Sequence, residues 1–348
     1  MEKETLQAAE KNLRFFEEVV ETDVVHPTPV WASPNKILYD LHTLTLRNFS
    51  TTDASEIPPT LILPPYAGHT SIIADFYKGQ SLIENLLQHG ITRVFAIEWR
   101  SADLLMKDYD IDNYLAELHV VIGDLGGRVN LVGLCQGGWM ASLYAARFPA
   151  HVVSLVCAGS PLDTQAGDGE IREMADDLPM SFYENLVLAG GGLLEGRFML
   201  EGFKGMNPKQ HMVDKYVGLY QHIDDPDYVK RNEIFEDWYE NTLNLPGRWY
   251  LQVVKELFKE NRFAKGEFVA LGGKIKPQTI TCPLYLLAGS KDELTPAAQV
   301  FNATNFFGTP ADKVIKDTAE GGHIGLFMGS HALKDNWPKI AAWLKAIC

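Results

Sequence analysis

The octapeptide LVGLCQGG at residues 131–138 is an apolar run that ends in a Gly-x-Cys-x-Gly turn. The residues before the turn are typical of a buried strand, and those that follow Gly138 are typical of a helix. A strand that turns sharply into a helix strains the residue at its tip, which small neighbours such as Gly133 and Gly137 permit. The pattern predicts a nucleophile elbow with Cys135 at its tip. The alternative is that this cysteine is a small buried apolar residue, as most free cysteines are.

Composition and charge limit the classes of protein that this chain can be. Its 348 residues are 46% hydrophobic and 22% charged, an ordinary globular composition with enough length for an α/β domain and an insertion. The formal net charge of −14 argues against a nucleic-acid partner, because a phosphate backbone attracts clustered Lys and Arg. A neutral polymer or a small molecule is the better match as a substrate.

Targeting signals and metal-binding patterns are not visible in the sequence. There is no run of about 18 apolar residues, and Met1–Thr5 lacks the features of a secretory signal. We therefore expect a cytoplasmic protein without a membrane span. The four cysteines lie far apart and show no CxxC spacing, so we expect no disulfide framework, no metal and no cofactor.

The alternation of apolar and helical segments predicts the domain organisation. Strand-like and helix-like segments alternate along residues 37–161 and return at 282–348, which predicts an α/β core with a mostly parallel sheet and helices on both faces. Between them, residues 162–281 are helical and rich in aromatic side chains. We interpret this part, called the cap segment below, as a helical cap inserted into the core. Within the first part of the core, residues 38–46 alternate as in a single half-buried strand.

Residues 1–36 are expected to form an N-terminal helix followed by a linker. Leu6, Leu13 and Phe16 recur at helical spacing in an acidic stretch, which indicates an amphipathic helix. We expect this helix to pack on the body of the protein or, alternatively, on a partner.

A nucleophilic thiol needs a base within hydrogen-bond reach, and the base needs a carboxylate that fixes its tautomer. His323 lies in a glycine-rich loop after a short strand-like segment, and Asp292 follows the buried strand at 282–289. The order of nucleophile, acid and histidine is the one expected for an α/β-hydrolase fold. We therefore interpret Cys135 as the nucleophile, Asp292 as the acid and His323 as the base. Glu293 competes for the acid role, and Asp292 could instead cap the helix that follows.

The loop at residues 64–69, Pro-Pro-Tyr-Ala-Gly-His, directly follows an early buried strand. In an α/β-hydrolase fold a loop in this place supplies one side of the oxyanion hole, and we call it the oxyanion loop. The backbone N–H of Gln136 and that of Tyr66 or Ala67 are expected to hold the oxyanion of a tetrahedral intermediate. His69 is either a second polar group of the active site or a loop residue that bonds its own backbone.

From about Leu61 to Leu344 the chain resembles the polyhydroxyalkanoate synthases and intracellular polyhydroxyalkanoate depolymerases, α/β-hydrolase-fold enzymes with a catalytic cysteine. The resemblance implies that Cys135, Asp292 and His323 form the catalytic triad. It also implies a polyester substrate or, for a synthase, 3-hydroxyacyl-CoA. A polyester granule surface and a second copy of the chain are the partners that it suggests.

The motifs of the two subfamilies are mixed in this chain. The synthase-like segments are residues 94–103, 135–138 and 260–267, and the depolymerase-like segments are residues 68–69, 159–164, 205–207, 245–252 and 322–329. The chain departs from the depolymerases at Gly137, where they have proline, and from the synthases in the oxyanion loop, which lacks their Asn-Lys segment.

Both subfamilies form the same acyl-cysteine, which either water or a hydroxyl group then intercepts. Because the cap and the oxyanion loop touch substrate and are depolymerase-like, we expect hydrolysis of (R)-3-hydroxyalkanoate ester bonds. The alternative is a synthase that polymerises 3-hydroxyacyl-CoA. A third hypothesis is a non-catalytic granule-associated protein on the same fold.

Overall fold

The computed structural model describes residues 2–24, 26–206 and 214–347. Its strands, in chain order, are β1 (Lys36–Asp40), β2 (Leu44–Asn48), β3 (Thr60–Leu63), β4 (Asp75–Tyr77), β5 (Gln80–Ser81), β6 (Val94–Trp99), β7 (Val129–Leu134), β8 (Val152–Ala158), β9 (Leu193–Leu194), β10 (Leu245–Pro246), β11 (Val269–Ala270), β12 (Gly273–Lys274), β13 (Leu284–Gly289) and β14 (Val314–Ala319).

The helices alternate with the core strands and then dominate the middle of the chain. They are α1 (Glu2–Val24), α2 (Leu82–Gln88), α3 (Ile111–Asp124), α4 (Gln136–Arg147), α5 (Glu170–Asp177), α6 (Met180–Ala189), α7 (Gly196–Met206), α8 (Lys215–His222), α9 (Pro226–Glu240), α10 (Gly247–Gln252), α11 (Ala297–Phe301), α12 (Gly325–Met328), α13 (Ser330–Asp335) and α14 (Trp337–Ala346). A π-helical segment, Val253–Lys259, continues α10.

One eight-stranded sheet organises the core, in the order β1-β2-β6-β3-β7-β8-β13-β14. All neighbours from β6 to β14 pair in parallel, and β1 and β2 form an antiparallel edge. Successive side chains of β7 enter opposite faces, since Leu131 packs in one apolar cluster and Val132 in the other. The sheet is therefore buried on both faces, and the predicted α/β-hydrolase core is confirmed.

The prediction of a single half-buried strand at residues 38–46 is wrong. The structure has a hairpin of β1 and β2, and Leu41 N–H donates to the Leu44 carbonyl across its turn. The carboxylate of Glu117 on α3 accepts hydrogen bonds from the backbone N–H groups of His42 and Thr43. A residue 74 positions away thus completes the turn, and local alternation contains no sign of it.

Helix α1 packs on the cap segment through a polar and aromatic face. Arg14 Nη2 lies 2.6 Å from Asp224 Oδ1, and the Tyr220 hydroxyl donates to Asn12 at 2.9 Å. The expected apolar stripe faces away from this contact, since Leu6, Leu13 and Phe16 are each at least 60% exposed. The helix therefore packs on the body of the protein, as expected, but its apolar stripe does not make this contact.

The cap segment lies between β8 and β13 and contributes helices α5 to α10. Residues 207–213 of this segment, including the Asn207 of the depolymerase-like motif, lie outside the described residues. None of the helices described for this chain has both the length and the apolar character that crossing a membrane requires.

Candidate active site

Cys135 occupies the tip of the turn between β7 and α4. Its backbone has φ 51° and ψ −120°, and its N–H donates to the Ala158 carbonyl at 2.8 Å. A positive φ is strained for a residue with a side chain, and such strain is concentrated at functional sites. The elbow geometry therefore agrees with the position that the sequence predicts for a nucleophile.

The elbow has room only for glycine at position 137. A Cβ atom placed on Gly137 would lie 1.9 Å from the Leu63 carbonyl oxygen, far inside van der Waals contact. Helix α4 and the start of the oxyanion loop therefore approach each other as closely as backbones can. Packing in this chain therefore requires glycine at position 137.

His323 and Asp292 meet beside the elbow at the carboxyl ends of β14 and β13. His323 Nδ1 lies 2.7 Å from Asp292 Oδ2, and the Asp292 side chain is completely buried. The other carboxylate oxygen accepts the backbone N–H of Thr295 at 2.8 Å. Asp292 thus bonds both the imidazole and the turn that follows β13. It is not the cap of helix α11, whose N-cap residue is Pro296.

The protonation of His323 depends on charged neighbours. Burial lowers its pKa, but the charges of Cys135 and Asp292 and the hydrogen bonds to both side chains raise the pKa well above its usual range. The arrangement therefore favours an imidazolium between a sulfur and a carboxylate. Glu293 is exposed and is not part of the row of Cys135, His323 and Asp292. Its backbone carbonyl accepts a hydrogen bond from the N–H of Glu170.

Some residues of the oxyanion loop line the cavity beside Cys135, whereas the side chain of Tyr66 is buried away from it. Ala67 and His69 line the same cavity as Cys135 and Gln136. The Tyr66 side chain is fully buried, and its hydroxyl lies 3.0 Å from the Arg100 carbonyl. Only the backbone of Tyr66 is therefore available to an oxyanion.

His69 lies in an aromatic environment within the cavity wall. Its ring stacks at 4.9 Å on Trp238 and at 5.1 Å on Tyr239, both from helix α9. Burial lowers its pKa to about 4, against the opposing effects of the Tyr239 and Ala67 carbonyls and the charge of Glu240. At neutral pH this imidazole is uncharged, in contrast to His323.

A cavity of about 1090 Å³ lies between the elbow and the cap segment. Its wall is mostly apolar and includes eleven aromatic residues that the cap segment contributes: Phe182, Tyr183, Phe198, Phe203, Tyr228, Phe235, Trp238, Tyr239, Trp249, Tyr250 and Phe258. Trp249 is completely buried, and its ring packs on Tyr66, Tyr114 and Trp139 of the α/β core. The size and lining of the cavity suit an uncharged acyl chain.

One buried ion pair in this wall was not predicted from the sequence. Lys215 Nζ lies 2.8 Å from Glu236 Oε2, and both side chains are largely buried. The two residues are far apart along the chain, on α8 and α9, so no local pattern connects them. Among residues 2–24, 26–206 and 214–347, no group of three or more His, Cys, Asp or Glu side chains is arranged to hold a metal ion.

Two motifs that point to different subfamilies contact each other. Asn261 Nδ2 of the synthase-like segment donates to Asp163 Oδ1 of the depolymerase-like segment at 2.7 Å. The neighbouring Thr164 hydroxyl donates to the Leu257 carbonyl at 2.6 Å. Together they tie the π-helical segment to the chain that leaves β8. These two motifs thus form a structural connection.

Sequence comparison relates the chain to polyester polymerases. It is 26% identical over 333 residues to the poly(3-hydroxyalkanoate) polymerase subunit PhaC of Haloferax mediterranei, covering 92% of this chain and 65% of that protein. It is 28% identical over 327 residues to the protein of the same name from Allochromatium vinosum, covering 90% of this chain and 88% of that protein. The chain thus spans slightly less than two thirds of the first relative and most of the second.

Structural comparison and a family match complete the assignment. The fold is similar to that of a monoacylglycerol lipase from Paleococcus ferrophilus, with a TM-score of 0.56, 16% identity, and coverage of 88% of this chain and 99% of that one. In fold the chain is thus similar to a lipase, and in sequence it is similar to proteins named poly(3-hydroxyalkanoate) polymerase subunits. Over residues 3–347 the chain matches, and therefore belongs to, the family described as "Protein of unknown function (DUF3141)".

Proposed function

We propose that this enzyme transfers 3-hydroxyacyl groups through Cys135 to a hydroxyl acceptor and so synthesises a polyester. The observation that carries the proposal is the row of Cys135, His323 and Asp292 at the elbow, in contact with a large apolar cavity. The names of the relatives favour polymerisation over the hydrolysis expected from the sequence motifs. The hydroxyacyl thioester is the substrate that this chemistry requires.

The first half of the reaction acylates the enzyme. The Cys135 thiolate attacks the thioester carbonyl, a new C–S bond forms, and the carbonyl electron pair moves onto oxygen. The tetrahedral intermediate collapses as the original C–S bond breaks. The leaving thiolate takes the proton of the His323 imidazolium, and the acyl-cysteine and a neutral imidazole remain.

The second half transfers the acyl group. The hydroxyl of another 3-hydroxyacyl unit attacks the acyl-cysteine and gives its proton to His323. When the second tetrahedral intermediate collapses, Cys135 leaves as a thiolate and the ester bond is complete. Asp292 holds the Nδ1–H of the imidazole, so Nε2 faces the sulfur in both halves.

The oxyanion of both intermediates requires donors that are already in place. Gln136 begins helix α4, so its N–H is not used within the helix and lies at the positive end of the helix dipole. We assign the N–H of Ala67 as the second donor in preference to that of Tyr66, because Ala67 lies in the cavity wall. Removal of one such donor costs about 3 kcal/mol in comparable sites.

The cap segment supplies the rest of the cavity wall in this proposal. Its aromatic residues exclude water from the acyl-cysteine, which favours a hydroxyl acceptor over hydrolysis. His69 and the ion pair of Lys215 and Glu236 are part of the same wall. We propose the cap function for residues 162–281 as a whole, with the core formed by residues 37–161 and 282–348.

The test is to incubate the protein with (R)-3-hydroxybutyryl-CoA and analyse the acyl products by mass spectrometry. The proposal predicts a ladder of oligomers that differ by one monomer unit, and no ladder from the Cys135→Ala variant. Free hydroxy acid as the only product would establish a hydrolase instead. Thiol release that persists in Cys135→Ala would remove the cysteine from the mechanism.

A further inference from the structure

We infer that Trp99 and Tyr66 are positioning residues that hold the backbone of the oxyanion loop, and that Tyr66 links this loop to the cap segment. The inference rests on the proposed function, since it concerns the same oxyanion hole. It assigns a task to two buried side chains that do not touch the reacting atoms.

Trp99 fixes the beginning of the loop. It is the last residue of β6, it is almost fully buried, and its indole N–H donates to the Pro64 carbonyl at 2.8 Å. Its backbone N–H donates to the Ser71 hydroxyl at 2.9 Å, on the other side of the loop. Pro64 directly follows β3, the neighbour of β6 in the sheet. The end of β6 therefore holds the point at which the oxyanion loop leaves β3.

Tyr66 fixes the middle of the loop from both the core and the cap segment. Its hydroxyl lies 3.0 Å from the Arg100 carbonyl and 3.2 Å from the Asn244 carbonyl. A hydroxyl carries one hydrogen, so the two carbonyls share it. Arg100 follows β6 in the core, and Asn244 precedes β10 in the cap segment. A shift of the cap segment therefore changes the bond that holds Tyr66.

The end of the oxyanion loop is held by a strip of the cap segment, residues 242–244, which includes Asn244. The Gly68 carbonyl accepts the Leu243 N–H at 2.7 Å, and His69 and Thr242 form an isolated antiparallel bridge. The Asn244 carbonyl also accepts the N–H of Ala102 at 2.9 Å, which connects this strip to the core. The loop is thus bonded at its beginning, middle and end, with Ala67 between the Tyr66 and Gly68 anchors.

This arrangement matters because a donor to an oxyanion acts only when it is aimed in advance. Loss of the Tyr66 hydroxyl leaves the triad unchanged but releases the residue next to Ala67. Such a defect slows reactions that pass through a tetrahedral oxyanion. It does not slow alkylation of the same thiolate by iodoacetamide, because alkylation is a displacement at saturated carbon without an oxyanion.

The experiment compares these two reactions of Cys135 in Tyr66→Phe, in Trp99→Phe and in the wild type. We expect Tyr66→Phe to lower single-turnover acylation by (R)-3-hydroxybutyryl-CoA about 10-fold or more, with KM and alkylation by iodoacetamide within about twofold of wild type. Trp99→Phe should likewise lower acylation and leave KM and alkylation near their wild-type values. The matched control is Tyr144→Phe, which removes a hydroxyl bonded to His119 and His151 and should leave both reactions unchanged.

Each other result has a defined meaning. Acylation by Tyr66→Phe and Trp99→Phe at the wild-type rate would overturn the inference. A parallel fall of acylation and alkylation would also overturn it, because it would indicate a general structural role. A wild-type protein that is alkylated at Cys135 but not acylated by the thioester would contradict the proposed function itself.

Discussion

Two histidines face the same cavity from opposite loops, and their protonation differs. His323, after β14, has a pKa well above its usual range because Cys135 and Asp292 outweigh the effect of burial. His69, after β3, has a pKa lowered to about 4 because burial among aromatic rings outweighs its other neighbours. Both are buried imidazoles, so burial alone does not decide the charge.

The difference lies in the charged groups that surround each ring. Asp292 lies 2.7 Å from His323, and the charges of Cys135 and Asp292 both raise the pKa of that imidazole. The carboxylate of Glu240, whose charge raises the pKa of His69, is paired at 2.8 Å with Lys204, whose charge lowers it, so the two effects partly cancel. The charges of Cys135 and Asp292 therefore keep a proton on His323, whereas the neighbours of His69 do not offset its burial.

The largest expected effect separates the two histidines by activity. His323→Gln removes the group that protonates the leaving thiol, and kcat should fall by about 10² to 10⁴-fold. His69→Gln keeps a polar side chain in the wall and should lower kcat by less than about 10-fold. Thiol release from (R)-3-hydroxybutyryl-CoA measures both. Equal losses would mean that the two loops have the same role.

A second expected effect concerns the charge that sustains His323. Asp292 raises the pKa of His323, so Asp292→Asn should lower that pKa and move the alkaline limb of the activity profile to lower pH. The profile of kcat/KM against pH in the variant and the wild type shows this shift. An alkaline limb that stays in place would assign the ionisation to another group.

A third expected effect concerns stability and His69. Because its pKa is about 6.5 in an unfolded chain and about 4 in the folded one, the unfolded state binds more protons between these values. Its contribution to stability is present above pH 6.5 and is lost as the pH falls through 4, by about 3 kcal/mol in total. Urea unfolding at several pH values should show a smaller acid loss in His69→Phe than in the wild type. Parallel curves would contradict this assignment.

The smallest expected effect is at Glu293, the alternative acid. This side chain is exposed and makes no hydrogen bond to His323, whose carboxylate partner is Asp292. Glu293→Gln should keep kcat within about twofold of the wild type, and Asp292→Asn prepared in parallel is its matched control. A large loss in Glu293→Gln would move the acid role to the neighbouring position.

The core and its reactive residues were predictable from the sequence for a physical reason. Buried parallel strands are continuous apolar runs, and the Gly-x-Cys-x-Gly turn has few other uses, so Cys135 was recognisable as an elbow residue. Asp292 and His323 followed from chain order, because the carboxyl ends of parallel strands lie at one edge of the sheet. The structure brings these three side chains together, and their catalytic roles remain our proposal.

The contacts that hold the site were not predictable in the same way. The indole of Trp99 bonds Pro64, and the hydroxyl of Tyr66 bonds Asn244, across 35 and 178 positions of sequence. No periodicity records such distant pairs. The direction of the reaction was not predictable from the motifs either: they favoured hydrolysis, whereas the names of the relatives favour the synthase alternative.

The central claim is that Cys135 carries the acyl group, and an acid-quenched acyl-enzyme tests it most directly. The protein is mixed with (R)-3-hydroxybutyryl-CoA, stopped with acid, digested and analysed by mass spectrometry. We expect the hydroxyacyl group on the peptide that contains Cys135 and not on Cys157 or Cys282, since burial raises the pKa of each of these two thiols to about 12. Turnover without an adduct on Cys135, or with the adduct on another residue, would contradict the account.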